Sequence, residues 1–306
     1  MLCPKSLRPG DRVALTCASS AVPAERLEPA VAAVKALGLE PVLYPSCYFE
    51  NRHGYFAADD VQRAKDIQEA FADPTIQGVL SIRGGYGAHR ILPLLDLEAI
   101  ARTPKYFSGY SDVTALHTAF NQTCGFVTYH TPMPSTEYYE PVDGYTMDYL
   151  KKALFGGLTG EMKNPEGQVM ETLVGGEAEG ILCGGNLSLL AASLGTPWEV
   201  DTKGKILFLE DIGEKTYRVD GMLTQLRNAG KFADCAGVLL GYWTDCPPEY
   251  PEKTLELPEI FRELIVPAGK PVLAGLACGH VLPTMSLPLG ARVALDAGKQ
   301  TLEVLP

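Results

Sequence analysis

No run of basic residues occurs in this chain, and Lys and Arg number 26 against 37 Asp and Glu, giving a net charge of -11 over 306 residues. A chain so acidic lacks the electrostatic footprint of a nucleic-acid binder, and no nucleic-acid partner is expected. Long apolar runs are missing too: none approaches the roughly 20 residues of a membrane-spanning helix. Met1-Leu2-Cys3-Pro4-Lys5-Ser6-Leu7-Arg8-Pro9 has no apolar stretch of the kind an export signal carries. The expectation is a cytoplasmic protein with no membrane partner. Eight cysteines are scattered without a C-x-x-C pair, and no histidine stands at zinc-ligand spacing. No metal is expected, and most thiols read as small core residues of a reducing compartment. Tryptophan is scarce: Trp198 and Trp243 are the only two, and both read as packed rather than stacking on a ligand.

Hydrophobic residues make up 46% of the chain and charged residues 21%, the balance of a packed globular protein. Its length suggests two domains. In the first half, strand and helix signals alternate. Strands are read at Val13 to Cys17, Pro41 to Tyr44 and Gly78 to Ile82, and helices at Ala24 to Leu37 and Ala57 to Ala72. Such alternation predicts a parallel sheet covered by helices on both faces. Between residues 156 and 180 the periodicity fades into Gly-, Glu- and Lys-rich sequence with Pro165, which reads as an interdomain connection. The expected fold is α/β: a flavodoxin/Rossmann-like parallel-sheet domain over 1–155, and a smaller mixed α/β domain over 181–306. Within the latter, an apolar helix is read between Ile181 and Leu194, strands at Lys205 to Leu209, Gly237 to Tyr242 and Val272 to Leu276, and an amphipathic helix at Arg218 to Ala229.

The most informative stretch is Lys105-Tyr106-Phe107-Ser108-Gly109-Tyr110-Ser111-Asp112-Val113-Thr114, an apolar strand running through small residues into a helix. A serine at such a junction exposes its hydroxyl above the sheet edge, and the N–H groups that follow can stabilise an oxyanion. The plainer alternative is that Ser111 caps the helix, with Asp112 in its first turn. A nucleophilic serine needs a base, and the base needs an orienting acid. Of the five histidines, His280 stands out, in the loop Ala277-Cys278-Gly279-His280 just past an apolar strand. His117 competes, but six residues beyond Ser111 on a helix it points away from the serine. Glu210 and Asp211 end the apolar run Ile206-Leu207-Phe208-Leu209. Neighbouring strand residues face opposite sides, so spacing leaves open which of the two points inward.

Five ordered blocks stand along the chain: Arg83-Gly84-Gly85-Tyr86-Gly87, Gly109-Tyr110-Ser111-Asp112-Val113-Thr114, Gly184-Gly185-Asn186-Leu187-Ser188, Phe208-Leu209-Glu210-Asp211-Ile212-Gly213-Glu214 and Gly279-His280. Together they resemble the LD-carboxypeptidase (muramoyltetrapeptide carboxypeptidase) family of serine peptidases, which includes the microcin C immunity peptidases. The resemblance implies a triad of Ser111, Glu210 and His280, with the serine contributed by the first domain and its partners by the second. Ser111 is then nucleophile, His280 general base and acid, and Glu210 the orienting carboxylate, with Asp211 structural. It further implies an oxyanion hole from the backbone N–H groups of Gly85 and Asp112. Gly84-Gly85 lacks the glycine spacing and the Lys-Ser/Thr ending of a phosphate loop, and no cofactor is expected. Arg83 and Arg90 flank the loop as candidates for a substrate carboxylate, with Gly84 and Tyr86 beside them. The implied reaction is removal of the C-terminal D-alanine of murein tetrapeptide in cell-wall recycling, by a homodimer. One departure is visible: Val281-Leu282-Pro283-Thr284-Met285-Ser286 follows His280 where many relatives carry a glycine- and asparagine-containing run. That departure bears on substrate preference. A microcin C immunity-type peptidase acting on a peptide-nucleotide or acyl-sulfamoyl adenylate is the enzymatic alternative, and a non-catalytic murein-peptide-binding protein the third reading.

Overall fold

Val13, Ala14 and Leu15 are wholly buried at the centre of β1 (Arg12–Thr16), as a strand covered on both faces requires. In this computed structural model, which describes residues 1–49 and 53–306, β1 pairs in parallel with β2 (Glu40–Leu43) and β3 (Gly78–Ser81). Next come β4 (Tyr106–Gly109) and β5 (Thr128–His130), also parallel, and β12 (Leu287–Leu289) lies antiparallel on β5. The sheet order is β12-β5-β4-β3-β1-β2. Order 2-1-3-4-5 is the flavodoxin-like version of the doubly wound fold, and it opens a crevice where the order reverses, between the loops after β1 and β3.

Helices α1 (Ala24–Ala36), α2 (Asp60–Ala72), α3 (Ala88–Ile91), α4 (Leu97–Arg102), α5 (Thr114–Ala119) and α6 (Gly144–Lys151) complete this unit. Asp59 caps α2 by accepting the Gln62 N–H at 2.8 Å. The helix then turns Ile67 and Phe71 inward, and Phe71 joins Phe107, Phe120 and Phe126 with ring centroids 5.4 to 6.3 Å from its own. Each such side chain contributes about 1.5–3 kcal/mol by leaving water.

A second unit is built on an eight-stranded mixed sheet ordered β6-β14-β13-β8-β9-β10-β11-β7. Its strands are β6 (Gly160–Met162), β7 (Glu171–Val174), β8 (Glu177–Asn186), β9 (Ile206–Ile212), β10 (Gly237–Thr244), β11 (Val272–Ala274), β13 (Arg292–Asp296) and β14 (Thr301–Val304). The central strands β8 to β11 are parallel. Apolar residues of α7 (Leu187–Ser193), α8 (Thr216–Asn228), α9 (Lys231–Asp234) and α10 (Leu257–Leu264) share one core with β9 and β10, among them Leu190, Leu223, Phe232, Ile260, Leu207 and Leu240.

Residues 1–158 with Ser286–Leu289 form the first unit, and residues 159–285 with Gly290–Pro306 the second. Two expectations change. The stretch 156–180 is no bare connection: it carries β6, β7 and the start of β8. Its polar composition has a physical source, since β6 and β7 are the two edge strands of their sheet and stay partly exposed. The span 181–306 is also not one body, because β12 returns to the first sheet. Its place there is fixed by Asn121, whose Nδ2 donates to the Leu289 carbonyl at 3.2 Å.

Candidate active site

At the end of β4 the chain must reverse sharply. Gly109, at φ 150°, permits it, because a Cβ there would lie 2.8 Å from that of Ser81. Two residues on, Ser111 holds φ 65°, the left-handed region that a serine adopts only under constraint, and opens a short turn (Ser111–Val113) leading into α5. The neighbouring glycine loop follows β3, and a Cβ on Gly84 would stand 3.0 Å from Ser111 Cβ and 3.2 Å from its Oγ. Only glycine lets this backbone approach the hydroxyl so closely. Among the described residues nothing accepts a hydrogen bond from the Gly85 or Asp112 N–H.

His117 sits directly below this turn. Its Nε2 lies 2.9 Å from the Gly109 carbonyl and its Nδ1 2.8 Å from Thr128 Oγ1, which in turn accepts from Asn121 Nδ2 at 3.1 Å. That chain of donors assigns a neutral ring with the proton on Nε2. Complete burial drives its pKa down to about 4. The competing base is therefore a structural anchor that holds the carbonyl two residues before the serine.

In the second unit, Glu210 and Asp211 at the end of β9 separate by face. Glu210 is fully buried, and its Oε2 lies 2.7 Å from Nδ1 of His280. This bond fixes the imidazole with its proton on Nδ1 and presents Nε2 as the acceptor nitrogen. The His280 loop is strapped to β10, the Tyr242 N–H donating to the Cys278 carbonyl at 3.0 Å and Thr244 Oγ1 to the His280 carbonyl at 2.6 Å. Gly241 makes the strap possible, since a Cβ there would lie 2.4 Å from the Cys278 oxygen. Asp211 takes the other face, where its carboxylate accepts from Asn186 Nδ2 and Ser188 N–H, each at 2.9 Å, and from its neighbour Ile212 N–H at 2.8 Å. Desolvation raises its pKa to about 6. Asp211 thus clamps the start of α7 to β9, a task separate from the imidazole.

The two candidate arginines differ. Arg90 is bonded in bidentate fashion to Asp60, Nη2 at 2.7 Å and Nε at 3.0 Å from Oδ2, and its guanidinium lies over the Phe56 ring. The expectation that it binds a substrate carboxylate therefore meets a local acid already in place. Arg83 donates to the Ala21 carbonyl and is half-buried. Tyr86 is 57% exposed beside the loop, its N–H on Ser20 Oγ at 3.1 Å.

Sequence reasoning missed three participants of the first unit: Ser19 and Ser20 beyond β1, and Arg63, buried within α2. The small-residue run Ala18-Ser19-Ser20 at a strand end was the available signal. Among the described residues no three His, Cys, Asp or Glu side chains group to hold a metal ion, and no helix is long and apolar enough to cross a membrane.

Residues 13–131 match the sequence model of the LD-carboxypeptidase N-terminal domain, and residues 179–295 that of the LD-carboxypeptidase C-terminal domain. A probable murein peptide carboxypeptidase of Bacillus subtilis (strain 168) is 40% identical over 97% of this chain and 92% of its own length. The microcin C7 self-immunity protein of Escherichia coli is 27% identical over 79% of this chain and 78% of its own. The crystal structure of a muramoyltetrapeptide carboxypeptidase from Oxalobacter formigenes superposes with a TM-score of 0.82 at 30% identity, covering 96% of this chain and 99% of that one.

Proposed function

From the premise that this chain belongs to the LD-carboxypeptidase family, we propose that it is a serine carboxypeptidase releasing the C-terminal D-alanine of murein tetrapeptide. The reaction is hydrolysis of the L,D amide bond during cell-wall recycling, in the cytoplasm, by a homodimer that needs no cofactor. The observation that carries this reading is the 2.7 Å bond between Glu210 and His280, combined with a serine held at φ 65°. An imidazole oriented by a buried carboxylate and a serine on a constrained turn are the parts acyl transfer requires.

In this mechanism Ser111 Oγ attacks the scissile carbonyl while His280 Nε2 takes its proton. Glu210 stabilises the imidazolium through Nδ1. The oxyanion is received by the Gly85 and Asp112 N–H groups, each worth roughly 3 kcal/mol at the barrier. His280 next protonates the departing D-alanine amine. Water, activated by the same imidazole, then hydrolyses the acyl-serine and regenerates the hydroxyl. Arg83 is the guanidinium proposed for the terminal carboxylate, since Arg90 is held by Asp60, and Gly84 and Tyr86 line the same loop.

The test is D-alanine release from purified murein tetrapeptide by the wild type and by Ser111→Ala, with chelator present. Release that disappears in the variant supports the reading. The likeness to the self-immunity protein favours a second substrate class, a peptide-nucleotide or acyl-sulfamoyl adenylate. Cleavage of that class without D-alanine release establishes it instead, and cleavage of neither leaves a murein-peptide-binding protein.

A further inference from the structure

Asp112 follows the proposed nucleophile directly, and an acid at the start of a helix is ordinarily solvated. Here only 2% of it is exposed. Its Oδ2 accepts from Ser19 Oγ at 2.5 Å and from the Ala88 N–H at 2.8 Å, and the Gly87 N–H also donates to the carboxylate. One side chain thus ties three segments: the run after β1, the end of the glycine loop, and the nucleophile turn.

The remaining fixings of that loop converge with it. Ser20 donates its N–H to the Gly84 carbonyl at 3.2 Å and receives the Tyr86 N–H on Oγ at 3.1 Å. Gly85 fits against Ser20 so tightly that a Cβ would lie 2.2 Å from that Oγ. Beneath, the fully buried Arg63 donates to the Ala18 carbonyl and to Asp60, and a Cβ on Gly87 would lie 2.4 Å from its Nη1. Burying one charge of each sign is costly unless both are hydrogen-bonded and near each other. Desolvation raises the pKa of Asp112 above the usual carboxylate value, opposed by the bonds from Ser19, Ala88 and Gly87 and, least, by the Arg63 charge.

We propose that the Asp112 carboxylate is a positioning residue that holds the Gly85 N–H at its working distance from the Asp112 N–H, so that the two converge on one oxyanion. The inference rests on the serine-peptidase reading of Ser111. Only an ionised carboxylate can accept from Ser19, Gly87 and Ala88 without presenting a proton of its own. An oxyanion hole works only if its donors are fixed before the charge develops, and misplacement by about 1 Å costs on the order of a hundredfold in rate.

Asp112→Asn tests this, because it keeps the backbone N–H and the side-chain size while replacing one acceptor with a donor. The reaction to follow is phosphonylation of Ser111 by a fluorophosphonate, expressed as the rate constant per reacting serine, which does not depend on the folded fraction. We expect it to fall at least about tenfold, with kcat for the tetrapeptide falling in parallel and KM within about twofold. A rate constant within twofold of wild type, with any loss confined to labelling amplitude, overturns the proposal. If the variant does not fold, Ser19→Ala removes one donor to the carboxylate; slowing of at least threefold per serine supports the proposal and an unchanged rate overturns it. Ser111→Ala separates the two levels: labelling that persists there refutes the serine-peptidase reading itself, and this inference with it.

Discussion

A methyl group on Gly279 would stand 2.8 Å from Oε2 of Glu210, the oxygen that holds the His280 imidazole. Residue 279 also has φ 126°, a conformation side-chain-bearing residues avoid. Gly279→Ala must therefore displace either the carboxylate or the loop. The expected result is a fall in kcat of roughly 10² with the protein still folded, read from tetrapeptide kinetics beside a thermal melt.

Glu210→Gln keeps the shape of the side chain and removes its charge. The amide can hold the wrong imidazole tautomer, with the proton on Nε2, and cannot stabilise the imidazolium. kcat should drop by about 10³–10⁴ with little change in KM. A loss smaller than tenfold removes Glu210 from the orienting role.

The arginines should separate kinetically. Arg83→Ala should raise KM for the tetrapeptide by roughly 10-fold or more, the worth of a charge-assisted bond to carboxylate. Arg90→Ala, which breaks the pair with Asp60, should leave KM within about twofold. Equal effects on KM would return Arg90 to the substrate.

His117 makes the first unit sensitive to acid. Its pKa in the folded protein is about 4, below the ordinary value near 6.5, so the unfolded chain binds the proton first as pH falls. Its contribution is complete above pH 6.5 and declines by roughly 3 kcal/mol as pH falls to 4. His117→Gln should lose stability at neutral pH and lack this decline, as measured by amide exchange of β4 and β5 between pH 4 and 7.

Asp211 acts with the opposite sign in the second unit. With its pKa raised to about 6, the folded state holds the proton longer than the unfolded chain does. Stability is then greatest below pH 4 and falls by roughly 3 kcal/mol as pH rises through 6. Asp211→Asn should flatten that slope, and amide exchange in β8 and β9 is the measurement. A slope unchanged in the variant assigns the effect to another group.

The parts of this molecule that were legible in the sequence are the ones encoded locally. Ser111 stands out because an apolar strand, small residues and a helix follow one another, and β1, β3 and β4 because buried parallel strands are continuous apolar runs. The choice between Glu210 and Asp211 was beyond spacing, since adjacent strand positions face opposite ways; it is decided by His280 on one side and Asn186 with Ser188 on the other. Arg63 was hidden inside an amphipathic helix, where a charge reads as solvated, yet its main-chain partner Ala18 lies 45 residues earlier. The edge strands β6 and β7 passed for a linker because exposed strands have linker composition. Nothing near Leu287-Pro288-Leu289 announces a partner at Thr128 to His130.

That late strand orders events during synthesis. A ribosome delivers the chain from its first residue, and most of the first sheet is available once about half has emerged. Its outer edge beside β5 stays uncovered until β12, the last strand but two, leaves the exit tunnel. Nascent chains halted before residue 287 would carry an open sheet edge, the feature most prone to pairing with a neighbouring molecule. No cut at one point of the sequence can therefore release the first unit whole.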